Sequence, residues 1–196
     1  YQLEDWGFGL TYRSPVKFTL KGSTDLTALG ARNVQSDDDD IQGDVTLPQN
    51  AVFGVANTSF ESWVFSADIT WTDWMSYDEL AIEYSGTDTL LMDSDKEWDD
   101  CFSFRVGAEY AVNESWVLRG GYVYDMSPIE TDYRGLELPG NDRHMFCIGT
   151  GFTAGRWGVD LSYSLLLVHP SNAGDSLNGN GSFEGGAHLA SMNLTM

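Results

Sequence analysis

Between residues 63 and 72 the chain alternates with a period of two. Trp63, Phe65, Ala67, Ile69 and Trp71 share one face, and Val64, Ser66, Asp68, Thr70 and Thr72 share the other. Successive side chains of a β-strand point to opposite sides, so this pattern predicts a strand with one apolar face. The same alternation recurs at 102–111, with Phe102, Phe104, Val106, Ala108 and Tyr110 against Ser103, Arg105, Gly107, Glu109 and Ala111. It returns at 116–125, where Trp116, Leu118, Gly120, Tyr122 and Tyr124 oppose Val117, Arg119, Gly121, Val123 and Asp125. Segments 157–164 and 6–13 follow suit, and 46–56, 143–153 and 186–196 alternate less cleanly. Eight strands are expected, and no segment carries a helical period.

The expected connections alternate too. Short ones fall around 57–59, 113–115 and 154–156. Long, polar and acidic ones fall at 27–43, 85–100, 126–142 and 170–185. An up-and-down sheet whose two ends face different compartments sorts its loops in this way.

The two faces decide where such a sheet lives. The polar face carries Gly, Ser and Thr with single charges, among them Arg13, Asp68, Arg105, Glu109, Arg119 and Asp160. It lacks the density of Lys and Glu that a solvated surface shows. The apolar face carries large residues with aromatics at its ends. Trp6, Trp63, Trp116 and Trp157 each open a strand, and Glu-Ser-Trp-Val occurs twice, at 61–64 and 114–117. An indole at a strand end suits a membrane–water interface, where ring and N–H both find partners. These four tryptophans are therefore the expected membrane girdle, with Glu-Ser closing a turn in water before each repeat of the motif. A soluble β-sandwich with core tryptophans is the competing reading, but it leaves the loop sorting and the polar opposite face unexplained. An open sheet edge is not tolerated in lipid, so the strands must close into a barrel, alone or within a larger ring.

Composition narrows the function. Lys+Arg total 10 against 30 Asp+Glu, a formal net charge of -20, which excludes nucleic acid as an obvious partner. It also argues against attachment to anionic head groups through the chain's own charge. No apolar run reaches the length of a transmembrane helix, and Tyr1-Gln2-Leu3-Glu4-Asp5 has no secretory-signal character. Cys101 and Cys147 are expected two strands apart at different depths, out of disulfide reach.

Several stretches resemble the FadL/TodX outer-membrane transporters of long-chain fatty acids and other hydrophobic compounds. They are Leu10-Thr11-Tyr12-Arg13-Ser14-Pro15-Val16-Lys17, Leu47-Pro48 and Asp68-Ile69-Thr70-Trp71-Thr72-Asp73-Trp74. Trp116-Val117-Leu118-Arg119-Gly120-Gly121-Tyr122, Asp125-Met126-Ser127-Pro128, Tyr133-Arg134 and Leu138-Pro139-Gly140-Asn141-Asp142-Arg143 continue the series in family order over nearly the whole chain. The resemblance implies an all-β, up-and-down antiparallel transmembrane β-barrel of fourteen strands with an N-terminal hatch. Residues 1–196 would supply a single barrel domain of about eight C-terminal strands, without hatch or early strands. Family members end in an aromatic residue, whereas this chain ends in Leu194-Thr195-Met196. The resemblance further implies a passive channel in the outer membrane of a Gram-negative bacterium, a monomer rather than an enzyme, without cofactor. Its partners would be a hydrophobic ligand, outer-membrane lipid and lipopolysaccharide. A structural or adhesive eight-stranded barrel, and a soluble carrier, are the alternatives.

Parity places Arg13, Lys17, Arg105 and Arg119 toward the lumen, as partners for a ligand carboxylate or for lumenal Asp68, Glu109 and Asp160. Ser127, Pro128, Arg134, Asp142 and Arg143 bracket one long loop and form either a ligand entrance or ordinary turn chemistry. Asp37-Asp38-Asp39-Asp40 reads as a solvated acidic loop. Gly43 fits the sixth place of a calcium loop starting at Asp38, but the twelfth place is Gln49. His144, His169 and His188 do not form a metal-binding spacing, and no metal site is expected. No Gly-x-Ser-x-Gly is present to support a hydrolase, and Asn-x-Ser/Thr matches at 57, 113 and 180 are chance.

Overall fold

The computed structural model describes residues 1–24, 39–77, 79–85, 90–95, 97–130, 140–172 and 182–196. The chain is all-β. Strands run in the order β1 (Gln2–Leu3), β2 (Trp6–Arg13), β3 (Val16–Thr24), β4 (Asp39–Leu47), β5 (Asn50–Phe60), β6 (Trp63–Thr72), β7 (Glu79–Tyr84), β8 (Leu90–Asp95), β9 (Cys101–Asn113), β10 (Trp116–Asp125), β11 (Arg143–Ala154), β12 (Trp157–Asn172) and β13 (Ser182–Thr195). One 3-10 turn, Trp74–Ser76, lies between β6 and β7.

Nine strands form one antiparallel sheet in the order β1-β2-β5-β6-β9-β10-β11-β12-β13. Eight of them, β2 onward, are the eight predicted from alternation. Among the described residues β13 pairs with β12 alone, so the sheet is an open wall. The self-closed eight-stranded ring is not what these residues form.

The remaining four strands make a second sheet, β3-β4-β7-β8, out of segments partly read as long loops. It continues the β2/β5 hairpin past two prolines. Arg13 pairs with Asn50 below the break and Val16 with Leu47 above it, with Pro15 and Pro48 at the break. Proline has no N–H to give a ladder, so both chains lose pairing at the same level. The expected strand at 46–56 therefore splits into β4 and β5 at Pro48. Asp39–Leu47 is extended and paired, which removes the calcium-loop reading; Asp37 and Asp38 lie outside the described residues.

The short turns sit at one end of the wall. Asn57 is in β5, so the first turn falls at Glu61–Ser62 rather than at 57–59. β5 bulges between Asn57 and Phe60, where the Asn57 carboxamide oxygen accepts from the Ser59 N–H and hydroxyl. Asn113 does the same for the Ser115 N–H. Gly155, at φ 61°, makes the third turn in the left-handed region that suits glycine. The residue before each of three girdle tryptophans accepts a backbone bond from a neighbouring strand. Thr58 donates to Asp5, Ala111 to Ser62 and Thr153 to Ser115, at 2.9, 2.8 and 2.8 Å. The repeated Glu-Ser-Trp-Val is thus a turn, a lateral tie and a strand start in four residues.

Candidate functional site

Register fixes the two faces. Trp116, Leu118, Gly120, Tyr122 and Tyr124 align with Phe152, Thr150, Ile148, Phe146 and His144 on β11. Large apolar side chains on this face, such as Leu10, Ile148 and Met192, are exposed. On the opposite face Gly121, Gly149, Ser162 and Ser191 leave a depression of about 470 Å³, also lined by Arg119, Cys147, Asp160 and Asn193. Both cysteines are free; Cys101 is buried at the loop end of the wall.

Three arginines of the polar face are tied to acid. Arg105 donates to Asp68 at 2.7 Å and to Thr70 at 2.9 Å. Arg119 donates through Nε to Glu109 at 2.6 Å and through Nη1 to Asp160 at 2.8 Å. Arg143 pairs with Asp125. Arg105 and Arg119 are therefore committed to carboxylates, the structural alternative weighed for them above. Arg13 closes β2 opposite Asn50, and Lys17 lies on β3 opposite Thr46. Lys17 belongs to the second sheet and not to the nine-stranded wall, contrary to the parity argument, because Pro15 ends β2 before it. Among the described residues, no carboxylate forms an ion pair with Arg13 or Lys17.

The 126–142 loop is pinned from below. The Asp142 carboxylate accepts from the Ser127 N–H at 2.9 Å and the Tyr124 hydroxyl at 2.6 Å, while Arg143 holds Asp125. Pro128 supplies its carbonyl to the Asp99 N–H at 2.9 Å. Arg134 lies outside the described residues. Beside this loop Trp74, Tyr77 and Trp98 pack edge-to-face, with ring centroids 5.1 Å apart from Trp98 to each of the other two. This cluster escaped sequence reasoning, because its members come from two loops.

Trp6, Trp63, Trp116 and Trp157 all stand at the short-turn rim, half-exposed. Trp116 also donates its indole N–H to Thr150 at 2.6 Å. A second aromatic rim lies at the other end of the wall. Tyr12 donates to Gln49 at 2.6 Å, Trp71 to Asp100 at 2.8 Å and Tyr124 to Asp142 at 2.6 Å.

An open antiparallel wall with a greasy outer face and a polar, internally neutralised inner face is a segment of membrane barrel. Over residues 1–195 the sequence matches the family of outer membrane transport proteins described as OMPP1/FadL/TodX. The chain belongs to that family. It is accordingly an outer-membrane protein of the Gram-negative type, in a family of transporters rather than enzymes, and the soluble-sandwich reading falls. It is 27% identical over 176 residues to a long-chain fatty acid transport protein of Salmonella typhi, covering 81% of this chain and 39% of that protein. An alkane uptake protein A of Marinobacter nauticus is 27% identical over 162 residues, covering 78% and 34%. Among solved structures, a Pseudomonas aeruginosa FadL homologue superposes with a TM-score of 0.87 at 20% identity, covering 99% of this chain and 49% of that one. The Ralstonia pickettii toluene transporter TbuX gives 0.62 at 16% identity, covering 98% and 44%. The chain spans about half or less of the length of each of these relatives.

Proposed function

We propose that this wall is part of a passive channel that carries long-chain fatty acids or other hydrophobic small molecules across the outer membrane. The observation that carries the reading is the pairing of the lumenal arginines. With Arg105, Arg119 and Arg143 all offset by carboxylates, the inner face presents small polar side chains and a depression, and Arg13 alone of the four arginines named for it has no ion pair among the described residues. Such a surface holds an apolar chain weakly enough to release it, as passive transfer requires. The names of the relatives, which span fatty acid, alkane and toluene, fit a lumen that discriminates poorly between apolar shapes. For a fatty acid, the carboxylate partner falls first to Arg13, which no carboxylate offsets among the described residues, ahead of Arg105 and Arg119, which would have to leave Asp68, Glu109 or Asp160. The outward rims would contact outer-membrane lipid and lipopolysaccharide, with the protein acting as a monomer.

The test is uptake of labelled oleate by cells in which the gene is deleted and then restored. Uptake lost and regained supports the fatty-acid channel. If oleate uptake is unaffected while toluene or alkane uptake follows the gene, the channel stands with another substrate. If no hydrophobic compound follows the gene, the transport reading fails and a structural role within the larger barrel replaces it.

A further inference from the structure

The histidines at 144 and 169 come from different strands, yet the fold brings them together. His144 lies on β11 opposite Leu167 of β12, and His169 follows on the same outward side. Their Nε2 atoms are 2.7 Å apart. The surroundings hold the His144 ring and the His169 backbone in place. The Tyr122 hydroxyl is 2.7 Å from His144 Nδ1, and the Tyr122 and Tyr124 rings stack on the His144 ring at 22° and 25°. The His169 N–H donates to the Asp142 carbonyl at 2.9 Å, and the Asn141 side chain donates to the His169 and Pro170 carbonyls at 3.2 Å each.

Ring nitrogens this close are joined by one N–H, which one ring donates to the lone pair of the other. A metal ion held by both nitrogens would take the place of that proton, with the donating ring carrying its hydrogen on Nδ1 instead. With Zn–N bonds of about 2.0–2.1 Å in tetrahedral geometry, the two nitrogens would stand roughly 3.3 Å apart. Opening from the observed separation is within reach of small side-chain rotations. We infer that His144 and His169 form a binding site for a divalent transition-metal ion at the loop end of the outward face. Imidazole nitrogens select zinc, nickel or copper over magnesium and calcium. Tyr122 orients the ligating ring through its other nitrogen, the arrangement that tunes bound histidines elsewhere. Asp142 stays with Tyr124 and Ser127 and adds negative charge nearby. Among the described residues no group of three or more His, Cys, Asp or Glu converges, so the two imidazoles are the protein ligands of this site. The ion would tie the loop ends of β11 and β12 together, on the face opposite the channel.

The full-length protein, purified in detergent without a histidine tag and stripped with chelator, is titrated with zinc chloride by calorimetry. A copper-loaded sample is read by electron paramagnetic resonance. A saturable site is expected, with a copper spectrum showing coupling to two imidazole nitrogens. His144→Ala and His169→Ala should each weaken zinc binding by about tenfold or more, while His188→Ala leaves it unchanged. Heat-modifiable gel migration reports folding, and His144→Gln replaces any alanine variant that does not fold. Zinc affinity and copper spectrum both unchanged in the two variants would overturn the inference.

Discussion

Arg119→Met separates a structural arginine from a ligand-binding one. Arg119 sits on β10 directly opposite Glu109 of β9, but Asp160 belongs to β12, two strands away. The guanidinium reaches it by passing over β11 where that strand offers only Gly149 and Gly151. One side chain thus joins three strands through bonds of 2.6 and 2.8 Å. The side chains of Arg119, Glu109 and Asp160 are 44%, 39% and 44% exposed, so water screens the attraction. Each exposed pair contributes about 0.2–1 kcal/mol. Removing the arginine also leaves two carboxylates facing each other across the sheet, so the total loss should be about 1–2 kcal/mol. That is well short of the ~3–5 kcal/mol expected on breaking a fully buried pair.

The assay is denaturant unfolding of the full-length protein in lipid vesicles, followed by tryptophan fluorescence. Arg119→Met and Asp160→Asn are measured singly and together. A coupling of about 0.5–1 kcal/mol between them is expected for groups in direct contact. Wild-type stability in Arg119→Met, with strictly additive effects in the double variant, would refute the structural role. It would return Arg119 to the set of cations free for a ligand.

Four other outcomes test the wall. A Cβ at Gly151 would lie 2.6 Å from Asp160 Oδ1 and 3.0 Å from both Arg119 Nη1 and Val117 Cγ2. Gly151→Ala should therefore cost about 1–3 kcal/mol in the same unfolding assay, and much less in an Arg119→Met background. Ile148 faces outward and Ser162 inward, so Ile148→Arg should cost about 2–4 kcal/mol near the bilayer midplane and Ser162→Arg far less; equal costs would mean that the faces are misassigned. Neither cysteine is bonded, so denatured protein should take up two maleimides from Cys101 and Cys147 without prior reduction, while in the folded state buried Cys101 reacts more slowly. Trp71→Phe and Tyr124→Phe remove the donors to Asp100 and Asp142 and should each cost about 1 kcal/mol, with faster proteolysis at the adjoining loops.

Most of the wall was legible because alternation survives wherever one face meets lipid. Segments 63–72, 102–111 and 116–125 became strands within two residues of their expected ends. The errors trace to features that alternation does not encode. Pro48 interrupts 46–56, yet Leu47, Ala51, Phe53 and Val55 keep one parity across the break. β8, Leu90–Asp95, reads Leu-Leu-Met-Asp-Ser-Asp and has no period of two, so it passes for a loop. β3 does alternate, with Val16, Phe18 and Leu20 against Lys17, Thr19 and Lys21, but the signal lies beyond a proline. Partners were harder still. Parity puts Arg105 and Asp68 on one face, yet a two-residue slip would keep that face and exchange every partner. Only the register, Asp68 opposite Arg105, decides the pair. The same holds for His144 and His169, whose separation in sequence carries no metal-site signature.

The two rims explain why the chain is so acidic without being a polyanionic wall. From Trp63 to Trp71 and from Trp116 to Tyr124 the outward face runs about eight residues, or ~27 Å along the strand. Tilted by about 35–45° as barrel strands are, that length covers most of an apolar band about 25 Å tall. At the short-turn rim the motif is self-contained, since the indole of Trp116 finds Thr150 on the neighbouring strand. At the loop rim the ring stays with the strand while its donor reaches Asp100 or Asp142 at the base of a loop. Asp100 and Asp142 are anchored there by neutral aromatics, while Asp125 at the same level, on the inner face, meets Arg143. Inside the wall the rule reverses, and Asp68, Asp125, Glu109 and Asp160 all meet arginine. Acid on the inner face is thus balanced by arginine, and Asp100 and Asp142 at the loop rim are held by aromatic donors.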